Sequence, residues 1–160
     1  MIRAATAADA AAICEIYNGY VRDTVITFEE ASVSAEEMAR RIEDVTARLP
    51  WFVAVEQGAV VGYAYAGPWR VRSAYRFSVE TTVYVARGCH GRGTGSQLYR
   101  ELLAALRKLE VHCAVGGIAL PNDASVALHQ KLGFKKVGQL VEIGYKLGRW
   151  VDVGYWQLIL

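Results

Sequence analysis

Ser78-Val-Glu80-Thr-Thr-Val-Tyr-Val85-Ala-Arg-Gly88-Cys-His90-Gly-Arg-Gly93-Thr-Gly95-Ser-Gln-Leu-Tyr-Arg100 decides how this chain folds. Val79 to Val85 is dense in Val, Thr and Tyr, the residues that suit a pleated, half-buried strand. Gly88, Gly91, Gly93 and Gly95 follow so closely that they mark a tight turn rather than a regular element. From about Thr94 the apolar residues recur at Leu98, Leu102, Leu106 and Leu109, one stripe of a helix. A glycine turn feeding a helix leaves bare backbone N–H groups at the positive end of the helix dipole, a natural seat for an anion. Glu80 stands one short strand upstream of that seat.

The segment after this helix, Cys113 to Leu120, is small and apolar, as befits a strand covered on both faces. Strand, helix and strand in that order demand a right-handed crossover and a parallel pair. Ligands of such sheets bind beyond the carboxyl ends of the parallel strands, where the glycine turn lies.

The flanking chain fills in a mixed α/β domain. Met1 to Arg3 reads as a short first strand. Thr6-Ala-Ala-Asp9 resembles a capping box, and the helix behind it carries Ile13, Ile16, Tyr17 and Tyr20 on one face. That helix is expected to weaken near Asn18-Gly19, because Gly costs about 1 kcal/mol against Ala in a helix interior. Val25 to Phe28 is extended or loop. Ser34-Ala-Glu-Glu37 caps a second helix with the stripe Met38, Ile42, Val45 and Leu49, stopped by Pro50. Trp51 to Glu56 and Val60 to Ala66 form a hairpin through Gln57-Gly58. Gly67-Pro68 ends its second strand. Trp69 to Phe77 is irregular and holds Arg70, Arg72 and Arg76. Ala124 to Leu132 is a short helix closed by Gly133. Val137 to Tyr145 and Trp150 to Leu160 are the last strands, joined through Gly148-Arg149. The expected order is β-α-α-β-β-β-α-β-α-β-β, a mixed central sheet with helices on both faces, in a single domain over residues 1–160.

The totals narrow the partners. The formal net charge is +2, which points to neither nucleic acid nor a membrane surface. No apolar run approaches the roughly 18 residues of a spanning helix. Asp9 and Glu15 spoil the N-terminus as a signal peptide. Cys14, Cys89 and Cys113 are odd in number and lack a CxxC pair, as in a cytoplasmic protein with reduced thiols. Three scattered histidines, His90, His112 and His129, do not suggest a metal site.

Several readings of the glycine turn compete. A Walker loop needs a Lys after its last glycine, and none is present. A dinucleotide fingerprint needs Gly-x-Gly-x-x-Gly, and Gly91-Arg-Gly93-Thr-Gly95-Ser96 lacks the final glycine. An ordinary glycine-rich loop is the plain alternative. The remaining reading is a pyrophosphate cradle. His90-Gly-Arg-Gly93-Thr-Gly95 resembles the Arg/Gln-x-x-Gly-x-Gly/Ala motif of the GCN5-related N-acetyltransferases. His90 stands where that family has Arg or Gln. Asn122, Ser125 and Leu128-His-Gln-Lys131-Leu-Gly-Phe134 are similar to the family's second cofactor segment. Ile16 to Tyr20, Thr27-Phe28-Glu29, Tyr65 to Pro68, Tyr75 to Glu80 and Gly148 to Val153 resemble its phosphinothricin N-acetyltransferase branch.

This resemblance implies an enzyme that uses acetyl-CoA, without a metal, to acetylate the α-amino group of a small amino acid such as phosphinothricin or methionine sulfone. It implies that His90, Gly91, Arg92, Gly93, Thr94, Gly95 and Ser96 meet the pyrophosphate. The backbones of Val83, Tyr84 and Val85 would meet pantetheine and the acetyl oxygen, with Asn122 and Lys131 adding cofactor contacts. Glu80 would be the general base. The residues alone leave open a salt bridge from Glu80 to Arg72 or Arg76. His129 occupies the place of a Tyr that protonates the departing thiolate in many members, and a purely packed His129 is the alternative. Phe28, Arg72, Ser73, Ala74 and Tyr75 would line the acceptor site, with Arg72 gripping a carboxylate. Family members are usually dimers, and Trp150 and Trp156 on the last strand could pair between copies. Direct attack is expected over an acyl-enzyme on Cys89. A domain that binds acyl-CoA as a sensor, without turnover, is the rival of another class.

Overall fold

The computed structural model describes residues 1–160. Seven strands form one sheet in the order β1-β2-β3-β4-β5-β7-β6. They are β1 (Ile2–Ala4), β2 (Trp51–Glu56), β3 (Ala59–Pro68), β4 (Ser78–Val85), β5 (Cys113–Leu120), β6 (Lys135–Lys146) and β7 (Arg149–Ile159). The helices are α1 (Ala10–Asp23), α2 (Ala35–Thr46), α3 (Thr94–Lys108) and α4 (Asp123–Lys131). All strand pairs are antiparallel except β4 with β5, the pair joined by the α3 crossover.

Two apolar layers hold the helices to opposite faces. On one, Ile13, Cys14, Tyr17 and Val21 of α1 and Met38 and Ile42 of α2 pack on Trp51, Val53 and Tyr63. On the other, Leu98, Leu102 and Leu106 of α3 pack on Ala64, Ala66, Val79, Ala114, Ile118 and Trp156. Each leucine so covered contributes roughly 1.5–3 kcal/mol.

Four details depart from the sequence reading. Helix α1 does not weaken at Gly19 but runs on to Asp23. Its neighbour Asn18 is engaged in both directions with the backbone of Val33, at 2.8 and 2.9 Å, and Val21 beyond it is buried. Those tertiary contacts offset the glycine penalty. Strand β3 continues through Pro68, paired with Val79. The next residue, Trp69, donates to the Ser78 carbonyl, so the alternation turns the Pro68 nitrogen away from β4, where its missing N–H costs nothing. Leu109 falls outside the α3 stripe, because the helix ends at Lys108 and leaves it exposed. Trp156 is unavailable for pairing between copies: it is buried in the α3 core layer, while Trp150 at the hairpin end is exposed.

Candidate active site

The parallel pair that the α3 crossover creates is short. β4 and β5 are matched only at Ser78↔Cys113, Val79↔Ala114 and Glu80↔Val115. Both strands then continue, to Val85 and Leu120, paired with β3 and β7 but no longer with each other. A wedge opens between them. It contains a cleft of about 210 Å³ lined by residues from Glu80 to Tyr84, Gly117 to Ala119, and Tyr99, Asn122, Ser125 and His129. Ile26 and Thr27 close one side of it.

The register of β3 and β4 tells which backbone groups face the wedge. Ala86 N–H donates to Val61 O at 2.8 Å, while Gly62 is aligned with Val85. Val85 is therefore a non-hydrogen-bonded partner of Gly62, and its peptide groups turn to the other side. By alternation the same holds for Val83. Both point their N–H and C=O groups toward the gap, while the peptide groups of Tyr84 are spent on β3. The Val85 carbonyl already accepts the Tyr20 hydroxyl at 2.6 Å.

At the open end of the wedge is the glycine turn. Gly88, Gly91 and Gly93 have φ of 82°, 78° and 82°, a region in which a side chain is strained. Gly93 is the N-cap of α3 and provides no side-chain cap, so the first amides of the helix, Thr94 to Ser96, have no capping side chain. Gly95 lets the helix approach Leu128, which would lie 3.4 Å from a β-carbon there. Arg92 is exposed and 3.7 Å from Glu56. His90 is tied by Nε2 to the Tyr20 oxygen at 2.9 Å. Because the Tyr20 proton goes to Val85, His90 is the donor in that bond. The unusual residue at this place thus links the turn to α1. An uncapped helix end, glycine backbone and strand edges with free peptide groups suit a long ligand with phosphates at one end and amides behind them. No group of His, Cys, Asp and Glu side chains is placed to hold a metal.

At the closed end is Glu80, in the last residue pair before the strands part. It forms neither a salt bridge nor a side-chain hydrogen bond, so pairing with Arg72 or Arg76 is absent. Burial pushes its carboxyl above the ordinary glutamate value, opposed in part by Arg70. Arg70 itself lies over the Trp69 ring, 4.2 Å from its centroid. Gly117 makes room for the carboxylate: a β-carbon there would be 3.2 Å from Glu80 Oε1.

His129 is buried in the opposite wall. Its Nδ1 lies 2.7 Å from the Ser125 carbonyl and its Nε2 2.9 Å from the Tyr99 hydroxyl. The carbonyl can only accept, so Nδ1 carries the proton and the bare Nε2 faces the Tyr99 hydroxyl, whose proton is shared between Nε2 at 2.9 Å and Thr81 Oγ1 at 3.2 Å. Burial lowers the His129 pKa, which keeps the ring neutral. Tyr99 escaped the sequence reading because it hides beside the α3 leucines. The available signal was a hydroxyl in an apolar stripe, since a buried Tyr finds a partner for its O–H.

The remaining expected residues are spread out. Asn122 lines the cleft and caps α4, its Oδ1 accepting from Ser125 N–H at 3.2 Å. Lys131 is exposed at the far end of α4 and does not line the cleft. Arg72, Ser73, Ala74 and Tyr75 lie exposed in and beside a short 3₁₀ turn, outside the cleft. Tyr75 borders a neighbouring depression with Trp69, Arg70 and Tyr155. Phe28 is outside the cleft too, packed over Gly144. Cys89 is half-buried against the α3 core and does not face the cleft.

A family model described as an acetyltransferase (GNAT) domain matches residues 2–154. A phosphinothricin N-acetyltransferase of Streptomyces viridochromogenes is 45% identical over 156 residues, covering 98% of this chain and 85% of that protein. An L-methionine sulfoximine/L-methionine sulfone acetyltransferase of Salmonella typhimurium is 39% identical, covering 99% of this chain and 94% of its own. A crystal structure of a phosphinothricin acetyltransferase from Sinorhizobium meliloti in complex with AcCoA superimposes with a TM-score of 0.97. It is 40% identical and covers 100% of this chain and 88% of that one.

Proposed function

The chain belongs to the acetyltransferase (GNAT) family, and on that premise we propose that it moves the acetyl group of acetyl-CoA to the α-amino group of a small amino acid of the phosphinothricin or methionine sulfone type. The observation that carries this reading is the wedge itself. An unpaired glutamate with a raised pKa stands where β4 and β5 part, and an uncapped helix N-terminus stands where the wedge opens. From Glu80 to Val85 the strand rises about 17 Å, at roughly 3.3 Å per residue. This spacing supports a proton acceptor and a phosphate seat at opposite ends of one extended ligand.

Acetyl-CoA supplies the thioester carbonyl. Glu80 takes a proton from the acceptor's ammonium, directly or through a water, so that the free amine can attack the carbonyl, and its raised pKa suits that task. The gap-facing N–H groups of Val83 and Val85 hold the ligand backbone and the carbonyl oxygen in line. Gly91 to Ser96 cradle the pyrophosphate, with Arg92 adding charge and His90 bracing the turn on Tyr20. The departing sulfur is assigned to the wall of Asn122, Tyr99 and His129, in which His129 Nε2 shares the Tyr99 proton. The free Nδ2 of Asn122 is a further donor. Attack is direct, because Cys89 does not face the cleft.

The names of the relatives support the acceptor class. The depression bordered by Trp69, Arg70 and Tyr75 supports an acceptor with an acidic group, since Arg70 is the cation felt by Glu80. A homodimer is supported by the β6–β7 hairpin, where every residue from Lys135 to Ile143 is exposed. Three free cysteines support a reducing cytoplasmic location.

The test is thiol release from acetyl-CoA with phosphinothricin, methionine sulfone, methionine sulfoximine, polyamines and free amino acids as acceptors. Turnover with the first three supports the proposal. Preferred turnover of polyamines, or tight binding of acetyl-CoA without turnover, overturns it, the latter in favour of a sensor.

A further inference from the structure

Ile26 and Thr27, which close one side of the cleft, belong to a segment, Val25 to Glu29, that has no regular structure of its own. Its position depends on side chains sent to it from elsewhere. Glu29 is held at the far end by the two terminal guanidinium nitrogens of Arg41, at 2.9 and 2.7 Å, and by the Tyr17 hydroxyl. With the Tyr17 proton on Glu29, the Thr27 hydroxyl donates to the Tyr17 oxygen at 2.8 Å. The middle of the segment is held differently. Lys146, the last residue of β6, is only 3% exposed, and its ammonium donates to the Thr27 carbonyl at 2.7 Å. No carboxylate lies within ion-pair distance of it. Glu30 and Glu29 are near enough for their charge to favour the ammonium but too far to pair with it, so its hydrogen bond goes to the Thr27 carbonyl; burying an ammonium without a direct ion pair is costly, and a chain that retains one has a use for it.

Two residues earlier, on the same face of β6, is Gly144. A β-carbon there would sit 2.3 Å from Phe28 Cε2, so the Phe28 ring lies directly on this glycine. The pairing of β6 with β7 is irregular between Leu140 and Gly144, and Glu142 in that bulge has φ of 52° and donates its N–H to Asp152. A bulge of this kind re-aims the strand behind it. Here it directs Gly144 and Lys146 at consecutive residues of the segment that walls the cleft.

We propose that Lys146 is a positioning residue for the acceptor: its ammonium holds Thr27, and with Gly144 beneath Phe28 it sets the acceptor side of the cleft. This deepens the acetyltransferase reading and rests on it. Cofactor binding uses the other side of the wedge, so the two ligands respond differently when the clamp is removed.

Lys146→Met removes the donor at nearly constant length, and Lys146→Gln keeps a shorter, neutral donor. Steady-state kinetics on methionine sulfone should show acceptor KM raised about tenfold or more in Lys146→Met, as for a displaced site wall. Lys146→Gln should fall between. Affinity for CoA, by calorimetry, should move less than about twofold, since none of its contacts is touched. Hydrogen exchange reads the clamp without activity. Amides of residues 25–29 should exchange about tenfold faster in Lys146→Met, with α3 and β5 unchanged. Unchanged exchange at 25–29 would sink the proposal, as would an unchanged acceptor KM or a parallel loss of CoA affinity. If Lys146→Met does not fold, a folded Lys146→Gln with wild-type KM and exchange overturns it equally. A wild type that acetylates no amino acid strikes the acetyltransferase reading alone, and the exchange result still decides whether Lys146 holds the segment.

Discussion

His129 leans on the backbone of Gly116 so closely that a methyl group on that residue would fall 2.4 Å from its Nε2. The ring is buried, with both nitrogens engaged. It cannot move aside without breaking the bond to Tyr99 or the one to Ser125. Gly116 is thus the mould for the imidazole. Its own backbone is ordinary, so the need is for space, not for an unusual φ.

Gly116→Ala should therefore act on His129. Overpacking of this kind costs about 1–3 kcal/mol, and the melting temperature should drop accordingly. The sharper expectation is chemical. With the Tyr99 bond broken, acetylation should lose roughly tenfold or more in kcat, while CoA affinity at the glycine turn stays near wild type. A variant with a full melting shift and unaltered kcat would remove His129 and Tyr99 from the reaction and leave them as packing.

Glu80→Gln tests the base and carries a signed prediction for stability. General base catalysis is typically worth about 10²–10⁴, and kcat should fall within that range. In the wild type, kcat/KM should decline toward acid along a limb set above the ordinary glutamate value, because burial raises the Glu80 pKa. The variant should lack that limb. A raised native pKa means that the native state binds the proton more tightly than the unfolded one. Stability from this group is complete below the unfolded pKa and is lost as pH rises through the native pKa. At pH 7 the charged carboxylate is a burden, so Glu80→Gln should melt higher than wild type. The gap should close toward pH 4. Equal melting temperatures at both pH values would mean that burial does not perturb this carboxylate.

The fold was legible where side-chain type alone sets the outcome. The glycines at 88, 91 and 93 adopt positive φ as a tight turn demands, and the α3 leucines lie in the core. What escaped depends on partners distant in the chain. Propensity argues for a break at Gly19, but Asn18 and Val21 meet residues that local sequence does not reveal. Trp150 and Trp156 look alike in sequence, and only the placement of α3 separates the buried from the exposed one. The cleft follows the same rule. Glu80 could be found because it is a lone carboxylate on an apolar strand. Tyr99, Lys146 and the three-residue extent of the parallel pairing could not, since each is defined by an element elsewhere.

The turn itself can be probed without touching a side chain. Gly93 has φ of 82° with nothing within 4 Å of a β-carbon, so substitution there brings strain and no clash. Left-handed backbone costs an ordinary residue about 1–2 kcal/mol. At 1.4 kcal/mol per decade, Gly93→Ala should weaken CoA binding about tenfold if the strain is relieved by reshaping the turn. Gly93→Asn should lose less, because Asn tolerates this region. Gly19→Ala is the control. It also has open space, but it sits in the interior of α1, where Ala should stabilise by about 1 kcal/mol. Its CoA affinity should match wild type by calorimetry. Equal loss in Gly93→Ala and Gly19→Ala would disconnect the turn's conformation from the cofactor.

Strand β6 is a sheet edge, and its residues Val137, Val141, Ile143 and Tyr145 are exposed, as are Leu147 and Trp150 beyond it. Tyr145 and Trp150 lie with ring centroids 4.9 Å apart, forming one aromatic surface. A long apolar edge in contact with water invites another chain, and natural proteins usually blunt such edges with charge. Glu142 in the bulge is the one charge in the middle of this edge, and Lys135, Lys136 and Lys146 do not serve there. The first two lysines lie at the start of the strand, and the third is turned inward to Thr27. Pairing of two copies along this edge would cover the apolar residues at once. Trp150→Glu places a charge at the centre of that aromatic surface without disturbing the α3 core, and it should convert a dimer into a monomer in sedimentation velocity. Because Lys146 holds the acceptor side of the cleft from the same strand, the monomer should also show a weakened acceptor KM. A wild type that sediments as a monomer would reject pairing at this edge, and a Trp150→Glu variant that remains dimeric would move the interface elsewhere.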